Sequence, residues 1–362
     1  MTAPVLEAVG LVKEFSVRSR LGGHSTVRPI DDVDFRLLPG RATALVGESG
    51  SGKTTLARML ARFYDPTAGE LRLDGRPMAA GRRAERAYRS AVQMVFQDPF
   101  GSLNPVHRVR HTIERAVRLH HPGLDRAERR RRTLEALERV SLLPAADYVD
   151  KFPHELSGGQ RQRVVIARAL AVQPRVLLGD EPISMLDVSI RLEILNLLDR
   201  LRRDDGLALL YITHDIASAR YLCDEIAVMY AGRIVEHGPT EQVIAAPRHP
   251  YTQLLIDSSP DPHRDAELGR DALFDAGRDL GEPPSLADPP PGCRFHPRCP
   301  LVRERCRTDA PASREVDGRR VECWYAEDTR GGAATTLAAA GPGDPGSRND
   351  ATDATDPGEP AS

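Results

Sequence analysis

Eight consecutive residues, GESGSGKT at positions 47–54, have the composition of a turn that binds phosphate. The glycines allow successive backbone N–H groups to point inward around an anion, and a helix that starts here adds its positive N-terminal end. Lys53 is expected to reach the terminal phosphates of a nucleotide, and the Thr54 hydroxyl to hold Mg²⁺. A glycine-rich turn that matches by accident is the alternative, but the strand-like ATALV before it and the helix-like TTLARML after it favour a nucleotide site. The predicted contact residues are Gly47, Ser49, Gly50, Gly52, Lys53, Thr54 and Thr55.

A second pattern supplies two carboxylates. The apolar run VLLGD at 176–180 indicates a buried strand, and Glu181 follows it directly. Parallel strands deliver such carboxylates to the carboxyl edge of a sheet, where ligands bind. Asp180 is expected to hold Mg²⁺ and Glu181 to polarise an attacking water. An apolar strand that ends in Asp is common by itself, so only its combination with the phosphate-binding turn predicts an ATPase.

The segment LSGGQ at 156–160 adds a second site for an anion. It precedes the apolar helical pattern VVIARALAV, so free N–H groups, a hydroxyl and a helix dipole coincide at its start. An ordinary helix cap with a Gly-Gly turn would explain Ser157, but not Gln160 and the basic residues after it. Two phosphate-seeking helix ends in one chain suggest that two chains enclose ATP, each supplying one end to the nucleotide of the other. The expected contacts across this pair are Ser157, Gly158, Gly159 and Gln160.

Apolar patterns along the chain predict the elements that must position these groups. Before residue 80, the segments VLEAVGLVKEF, IDDVDFRLLPG, RATALVG and GELRLDG indicate strands. One helix interrupts them, KTTLARMLARFY, and its predicted apolar face consists of Leu56, Met59, Leu60 and Phe63. From about 82 to 155 the pattern is helical, and from 161 to 245 strands alternate with helices. This alternation predicts a parallel sheet with helices on its faces.

The composition excludes several classes of protein. The 362 residues carry 50 Lys plus Arg against 52 Asp plus Glu, a net charge of -2 that gives no general attraction to nucleic acid or anionic membrane. The four arginines at 129–132 have no interleaved aromatic residues and are expected to be a solvated helix face, so we predict no nucleic-acid partner. Every apolar run is too short to cross a membrane and the N-terminus lacks a secretory pattern, so we expect a soluble, cytosolic chain.

Together, GESGSGKT, VLLGDE and LSGGQ resemble the motifs of the ATP-binding subunits of ABC transporters, over roughly residues 5–245. The resemblance implies an α/β fold, a P-loop ABC ATPase with a RecA-like core sheet, an antiparallel β subdomain and a helical subdomain at about 82–165. It identifies Gln97 as the Q-loop glutamine, which joins Thr54 and Asp180 around Mg²⁺, and residues 184–187 (SMLD) as the D-loop.

Two further roles follow from the same resemblance. His214 is similar to the switch histidine that contacts the γ-phosphate, so Glu181, His214 and Gln97 form the expected catalytic set. Phe15 is similar to an aromatic residue that stacks on adenine. For His214 the alternative is a satisfied histidine at a strand end, and for Phe15 it is a buried strand residue.

The resemblance narrows to the oligopeptide and dipeptide importers. The segment QDPFGSLNP at 97–105 resembles their extended Q-loop, and His249-Pro250-Tyr251 resembles the opening of their C-terminal region. This implies a nucleotide-binding domain at 1–245 and a C-terminal extension at 246–330. Residues 331–362 are small, polar and rich in Pro and Gly, so their composition predicts a disordered tail. One departure concerns the cargo: the family commonly has Thr-Ser-Ala where this chain has Ile183-Ser184-Met185. Oligosaccharide importers vary in this segment, so an oligosaccharide cargo is the alternative.

Four of the five cysteines fall close together in the C-terminal extension. Their spacing is C-x5-C-x6-C-x16-C, at Cys293, Cys299, Cys306 and Cys323. The wide first interval fits zinc poorly, and disulfides conflict with a reducing cytosol. Four thiolates at loop-rich spacing can hold a [4Fe–4S] cluster, and the extension resembles that of importer subunits that carry one. We expect the cluster; zinc and unliganded thiols are the alternatives. Cys223 is expected to be a buried apolar residue.

The function that these inferences predict is an ATP-hydrolysing motor subunit that uses ATP and Mg²⁺. Its expected partners are two transmembrane permease subunits, a second ABC ATPase subunit, most simply a different chain, and an extracytoplasmic solute-binding protein. The expected location is the cytoplasmic face of the cell membrane, as a peripheral protein. The rival from another class is a soluble ABC protein of translation or DNA repair, but such proteins usually fuse two cassettes or insert long coiled coils, and this chain does neither.

Overall fold

The computed structural model describes residues 3–18, 24–258 and 281–329. The tail expected at 331–362 lies outside the described residues. The strands are β1 Leu6–Arg18, β2 His24–Leu37, β3 Ala42–Val46, β4 Ala68–Leu73, β5 Arg76–Pro77, β6 Val92–Val95, β7 Val176–Asp180, β8 Ala208–Ile212, β9 Glu225–Tyr230, β10 Arg233–Pro239, β11 Arg314–Val316 and β12 Arg319–Val321.

The α-helices fall mainly between β5 and β10. They are α1 Lys53–Leu60, α2 Arg82–Ala91, α3 Pro99–Ser102, α4 Val109–His120, α5 Arg126–Arg139, α6 Ala145–Val149, α7 Gly158–Leu170, α8 Val188–Asp204, α9 Ile216–Leu222, α10 Thr240–Ala245, α11 Pro250–Asp257 and α12 Glu304–Thr308. Short 3₁₀ turns are formed by Pro153–Glu155 and His296–Arg298. In the ranges that the structure covers, no helix is long and apolar enough to cross a membrane.

The larger of two sheets carries the predicted site elements. Among the described residues its strand order is β11-β12-β10-β9-β3-β8-β7-β6. Strands β6, β7, β8, β3 and β9 are parallel, which confirms the predicted parallel sheet. β3 lies at the centre and β7 is two positions away, so the loops after both strands open at the same carboxyl edge.

The smaller sheet, ordered β2-β1-β4-β5, is antiparallel and packs on one face of the larger sheet through α1. Alternate residues of the central strand separate the two cores: Leu45 faces α1 and the smaller sheet, whereas Ala44 and Val46 face the helices on the other side. Helices α4 to α9 pack in that second core. The strand β3 therefore contributes side chains to both cores.

Two local predictions are wrong. The helix over 53–64 ends at Leu60, because Arg62 takes a left-handed conformation with φ 61°, and Phe63 is therefore 54% exposed rather than part of the apolar face. The region expected to be helical from about 82 to 155 contains β6, which pairs in parallel with β7. A four-residue strand between two helices is too short to show a clear period of two.

The C-terminal extension is joined to the sheet, although its sequence shows little periodicity. The hairpin β11–β12 adds to β10, with Glu236 opposite Val321. Glu236 is fully buried there and accepts hydrogen bonds from the backbone N–H groups of Arg248 and His249 at 2.9 Å each. The extension thus adds two strands to the edge of the sheet and donates hydrogen bonds to a buried carboxylate of β10.

Candidate functional site

The turn at 47–52 connects the buried strand β3 to helix α1. Gly47 and Gly52 both have positive φ, 153° and 111°. A Cβ atom at Gly47 would lie 2.2 Å from the Met229 carbonyl oxygen, and one at Gly52 would lie 2.3 Å from the Pro29 carbonyl oxygen. Because backbone occupies both spaces, the turn accepts only glycine at these two positions.

The residues around these glycines present polar groups to solvent. Ser49 and Gly50 are exposed at the tip of the turn, and Thr55 is half-buried in the first turn of α1. The N-terminus of α1 has no side-chain cap, so its first N–H groups are available to an anion. This geometry fits the phosphate-binding turn that the sequence predicts.

Lys53 lies across this turn. Its side chain is 8% exposed, and its Nζ donates to the carbonyl oxygens of Gly47 at 2.7 Å and Glu48 at 2.8 Å. Burial lowers the pKa of Lys53, while the carboxylates of Glu181 and Asp180 oppose that shift. The ammonium is therefore held by the turn, and its charge is stabilised by Asp180 at the end of β7 and by Glu181 directly after it.

The acid at the end of β7 meets the start of α1. The Thr54 hydroxyl donates to Asp180 Oδ1 at 3.2 Å, and Asp180 is buried. Burial raises the pKa of Asp180 in spite of that hydrogen bond, so the carboxylate lacks a full charge partner. A hydroxyl and a buried carboxylate are the oxygen donors that Mg²⁺ takes, so these residues fit that ion.

Three of the predicted site residues converge just beyond this point. Glu181, with a left-handed φ of 48°, accepts a hydrogen bond from Gln97 Nε2 at 2.9 Å. Its other carboxylate oxygen lies 3.3 Å from His214 Nδ1. Gln97 follows β6 by two residues and His214 follows β8 by two residues, so both lie just beyond the ends of their strands. The sheet therefore gathers an acid, an amide and an imidazole from three parallel strands.

Phe15 lies on β1, in the smaller sheet. It is half-buried, and its ring meets that of Tyr64 edge-on at a centroid distance of 5.3 Å. Lys13 Nζ lies 5.1 Å from the centre of the Phe15 ring and donates to the Asp65 carbonyl oxygen. The Phe15 ring is thus in contact with an aromatic ring, Tyr64, and with a cation, the Lys13 ammonium.

The LSGGQ segment starts helix α7, as predicted. Ser157 is the N-cap: its hydroxyl accepts from the Gln160 N–H at 3.2 Å, while Gln160 Oε1 accepts from the Ser157 N–H at 3.0 Å. Gly159 is buried against α8, where a Cβ would lie 2.7 Å from Ile190 Cγ2. Gly158 is half-buried and Ser157 is exposed. The cap therefore accounts for Gln160 as well as Ser157, contrary to the expectation from the sequence, because the Gln160 side chain closes a capping box. The start of the helix remains open to solvent at Ser157.

All four cysteines of the extension line one small cavity beside His249 and Phe295. Burial raises the pKa of Cys293 to about 11, and those of Cys299 and Cys323 to about 12. Within 3–18, 24–258 and 281–329, no three His, Cys, Asp or Glu side chains are arranged closely enough to hold a metal ion. The structure thus brings Cys293, Cys299, Cys306 and Cys323 together without assembling the expected ligand set. Cys223 is buried after α9, as expected.

Several residues of the site were not identified from the sequence. The sequence indicates Tyr251 only as part of a family motif, yet its hydroxyl accepts the Glu48 N–H of the turn at 2.8 Å. Arg298 forms a two-pronged ion pair with the Glu48 side chain. Glu48 lies inside the recognised motif, but no local pattern indicates a partner 250 residues away.

Comparisons with known proteins agree with this geometry. Residues 30–184 match the family model described as ABC transporter, and residues 235–306 match the oligopeptide/dipeptide transporter C-terminal region. The di/tripeptide transport ATP-binding protein DppF of Pseudomonas aeruginosa is 40% identical over 329 residues, which cover 90% of this chain and 99% of that protein. The dipeptide transport ATP-binding protein DppF of Haemophilus influenzae is 39% identical over 325 residues, 89% of this chain and 97% of that protein.

The solved structures show the same fold. The ATP-binding cassette MJ0796, in a dimeric structure of a post-hydrolysis state bound to ADP and Pi, superposes with a TM-score of 0.57 at 28% identity, covering 65% of this chain and 98% of that one. The family models thus include the turn at 47–54, the strand β7 with its carboxylates, and residues 235–306 of the C-terminal region. The chain belongs to the ATP-binding subunits of ABC transporters, in the oligopeptide/dipeptide importer family.

Proposed function

We propose that this chain is the ATP-hydrolysing motor of a membrane importer for oligopeptides or dipeptides. The observation that carries the proposal is the meeting of Gln97, Glu181 and His214 at the edge of the sheet where the phosphate-binding turn also opens. The transport names of relatives about 40% identical over nearly their whole length support the peptide cargo. The segment Ile183-Ser184-Met185 differs from the Thr-Ser-Ala that is common in the peptide importers, so an oligosaccharide is the second candidate for the cargo.

The roles follow from the positions of the side chains. The glycines of the turn, with Ser49 and the first N–H groups of α1, receive the phosphates, and Lys53 neutralises the terminal ones. Thr54, Gln97 and Asp180 would hold Mg²⁺, which supplies charge neutralisation for the phosphates when bound. The adenine would stack on Phe15. Thr55 completes the phosphate contacts at the first turn of α1.

Glu181 is positioned to act on water. Its carboxylate is held on one side by the Gln97 amide and on the other by His214, so its orientation is fixed before a nucleotide is present. A carboxylate in this position accepts a proton from the attacking water, and His214 would contact the γ-phosphate. Phosphoryl transfer needs mainly positioning and charge stabilisation, which this set supplies.

A second cassette would complete the site. Ser157 is exposed at the start of a helix that its own capping box makes rigid, which suits contact with a nucleotide on another chain. The superposition on a dimeric cassette bound to ADP and Pi supports this arrangement. The proposed contacts across the pair are Ser157, Gly158, Gly159 and Gln160.

The remaining partners and the domain limits are proposals of the same kind. We assign 1–245 to nucleotide binding, about 82–165 to the helical subdomain that meets the permeases, and 246–330 to the extension. Two permease subunits, a second ATPase chain and an extracytoplasmic solute-binding protein would complete the importer. The subunit would lie on the cytoplasmic face of the membrane.

The cysteine cavity is the proposed site of a [4Fe–4S] cluster. The four thiols line one cavity but lie too far apart in this structure to hold a metal ion, so a cluster would have to draw them together. Their pKa values, which burial raises, would fall once a cation shares the cavity. Such a cluster would cross-link the loops of the extension. Reconstitution with iron and sulfide under anaerobic conditions should give a broad absorbance at about 400 nm. Stoichiometric zinc in the purified protein, or four thiols free to titrate, would contradict it.

Replacing Glu181 with Gln tests the hydrolytic role. A side-chain amide at this position cannot accept a proton, so we expect ATP binding to persist while turnover falls by roughly a hundredfold or more. The matched control is Glu85→Gln, an exposed acid on α2 that pairs with Arg89 at i+4. Near-normal turnover in Glu181→Gln would refute the role of Glu181. Co-purification with ribosomes or DNA instead of integral membrane subunits would favour the soluble rival.

A further inference from the structure

The segment between Cys293 and Cys299 lies against the phosphate-binding turn. Arg298, at the end of the 3₁₀ turn in this segment, directs both Nη atoms at the Glu48 carboxylate, with Nη1–Oε2 at 2.9 Å and Nη2–Oε1 at 3.0 Å. The side chains are 10% and 26% exposed. A two-pronged, largely buried pair of this kind fixes direction as well as charge.

The backbone of Glu48 is held by the same extension. Its N–H donates to the hydroxyl of Tyr251, at 2.8 Å, and Tyr251 is fully buried in α11. The Tyr251 ring packs against Phe295 at a centroid distance of 5.5 Å, and Arg298 also donates to the hydroxyl of Tyr230 at 3.3 Å. Residues of the extension therefore fix both the side chain and the main chain of Glu48.

Glu48 in turn determines the shape of the site. Its carbonyl oxygen accepts hydrogen bonds from Lys53 Nζ at 2.8 Å and from the Ser51 N–H at 3.2 Å. A rotation of the Glu48 peptide unit would move the acceptor that orients Lys53 and change the curvature of the turn. Misplacement of binding groups by about an ångström is enough to cost a large part of their effect.

A second arginine anchors the same segment elsewhere. Arg294 pairs with Asp31 of β2 and donates to the Ala231 carbonyl oxygen, in the turn between β9 and β10. That turn also touches the site, because the Gly232 N–H donates to the Ser51 carbonyl oxygen at 2.8 Å. Arg294 thus fixes one end of the segment to β2 and to the turn between β9 and β10, while Arg298 at the other end contacts Glu48.

We propose that Arg298 is a positioning residue for nucleotide binding, which holds Glu48 and thereby keeps the turn at 47–52 in the shape that receives a nucleoside triphosphate. The proposal rests on the nucleotide site assigned above. It gives the C-terminal extension a direct part in ATP affinity, whereas the residues that act on water remain in the parallel sheet.

Equilibrium binding of a fluorescent ATP analogue with Mg²⁺ to the full chain tests this inference. We expect Arg298→Gln to weaken binding by about tenfold and to raise the KM for ATP by a similar factor, with kcat within about twofold of the wild type. Glu48→Gln should weaken ATP binding by a similar factor. The double variant should bind ATP no more weakly than either single variant, because each single variant already loses the same Arg298–Glu48 pair. Arg298→Lys, which keeps the charge but not the fork, should recover part of the affinity.

The control is Arg303→Gln, which breaks an exposed ion pair with Asp328 in the same extension, away from the turn. Its affinity should equal that of the wild type. Unchanged affinity in folded Arg298→Gln, with normal binding by the wild type, would overturn this inference alone. Should Arg298→Gln fail to fold, unchanged affinity in Glu48→Gln would overturn it. A wild-type chain that binds no ATP would overturn both this inference and the proposed function.

Discussion

Replacing Gly47 with Ala tests the shape of the phosphate-binding turn. The added methyl carbon would lie 2.2 Å from the Met229 carbonyl oxygen and 3.0 Å from Ser51 Oγ. Met229 is fully buried in β9, which pairs with β3, so its carbonyl group has no room to retreat. An ordinary carbon contact needs about 3.5 Å, so the turn must move by roughly 1 Å.

A shift of this size falls on the backbone that is proposed to bind phosphate. We expect kcat/KM for ATP to fall by roughly a hundredfold, since misplacement of binding groups by about 1 Å has effects of that order. The free energy of unfolding should fall by only about 1–3 kcal/mol, as for other overpacked sites. The assay is ATP hydrolysis with Mg²⁺, together with urea unfolding of the same samples.

Gly75→Ala is the matched control. Gly75 also has a positive φ, 71°, but a Cβ there would meet nothing within 4 Å. It should lose about 1 kcal/mol of stability, because left-handed backbone is strained for alanine, and hydrolysis should be unchanged. Folded Gly47→Ala that hydrolyses ATP as fast as Gly75→Ala would show that the contact with the Met229 carbonyl oxygen does not control the shape of the turn.

Two further predictions concern buried titratable groups. Burial raises the pKa of Asp180, so the ionised carboxylate destabilises the folded chain at neutral pH. Asp180→Asn should therefore raise the Tm of the nucleotide-free chain, and the increase should grow as the pH rises through the pKa of Asp180. The same variant should lose Mg²⁺-dependent hydrolysis. An unchanged or lower Tm would contradict this account. Burial lowers the pKa of His249 to about 3 in the folded chain. As the pH falls below about 6.5, His249 is protonated in the unfolded chain but stays neutral in the folded one. The free energy of unfolding of the wild type should therefore fall by about 2 kcal/mol by pH 5. His249→Asn, which keeps an acceptor for the Tyr251 N–H, should lose about 2 kcal/mol less between pH 7 and pH 5; urea unfolding with equal losses would count against it.

The parts of the fold that local patterns encode were predicted well. The strand β3, the turn with Gly47 and Lys53, and the capped start of α7 are each specified within a dozen residues, because their backbone geometry needs particular residue types. The parallel sheet followed from the alternation of strands and helices. The carboxylate Glu181 could be placed because it follows a continuous apolar strand.

Features that depend on distant parts of the chain escaped prediction. The strand β6 is recognisable only through its pairing with β7, and the three-residue strands β11 and β12 only through their pairing with each other and with β10. Phe63 is exposed because of the conformation of Arg62, which no apolar period records. The contact of Arg298 with Glu48 joins residues 250 positions apart. Tertiary contacts of this kind leave no local signature in one sequence.

The hairpin β11–β12 has a consequence for exchanging modules between related chains. Removing the residues from 246 onward would expose the edge of β10, which now pairs with β12. It would also leave the Glu236 carboxylate without the N–H groups of Arg248 and His249 that donate to it. A chimaera that grafts this region from a relative must therefore preserve the ladder register of Glu236 with Val321 as well as the peptide sequence. Swaps that ignore that register should aggregate, even when both donors are soluble by themselves.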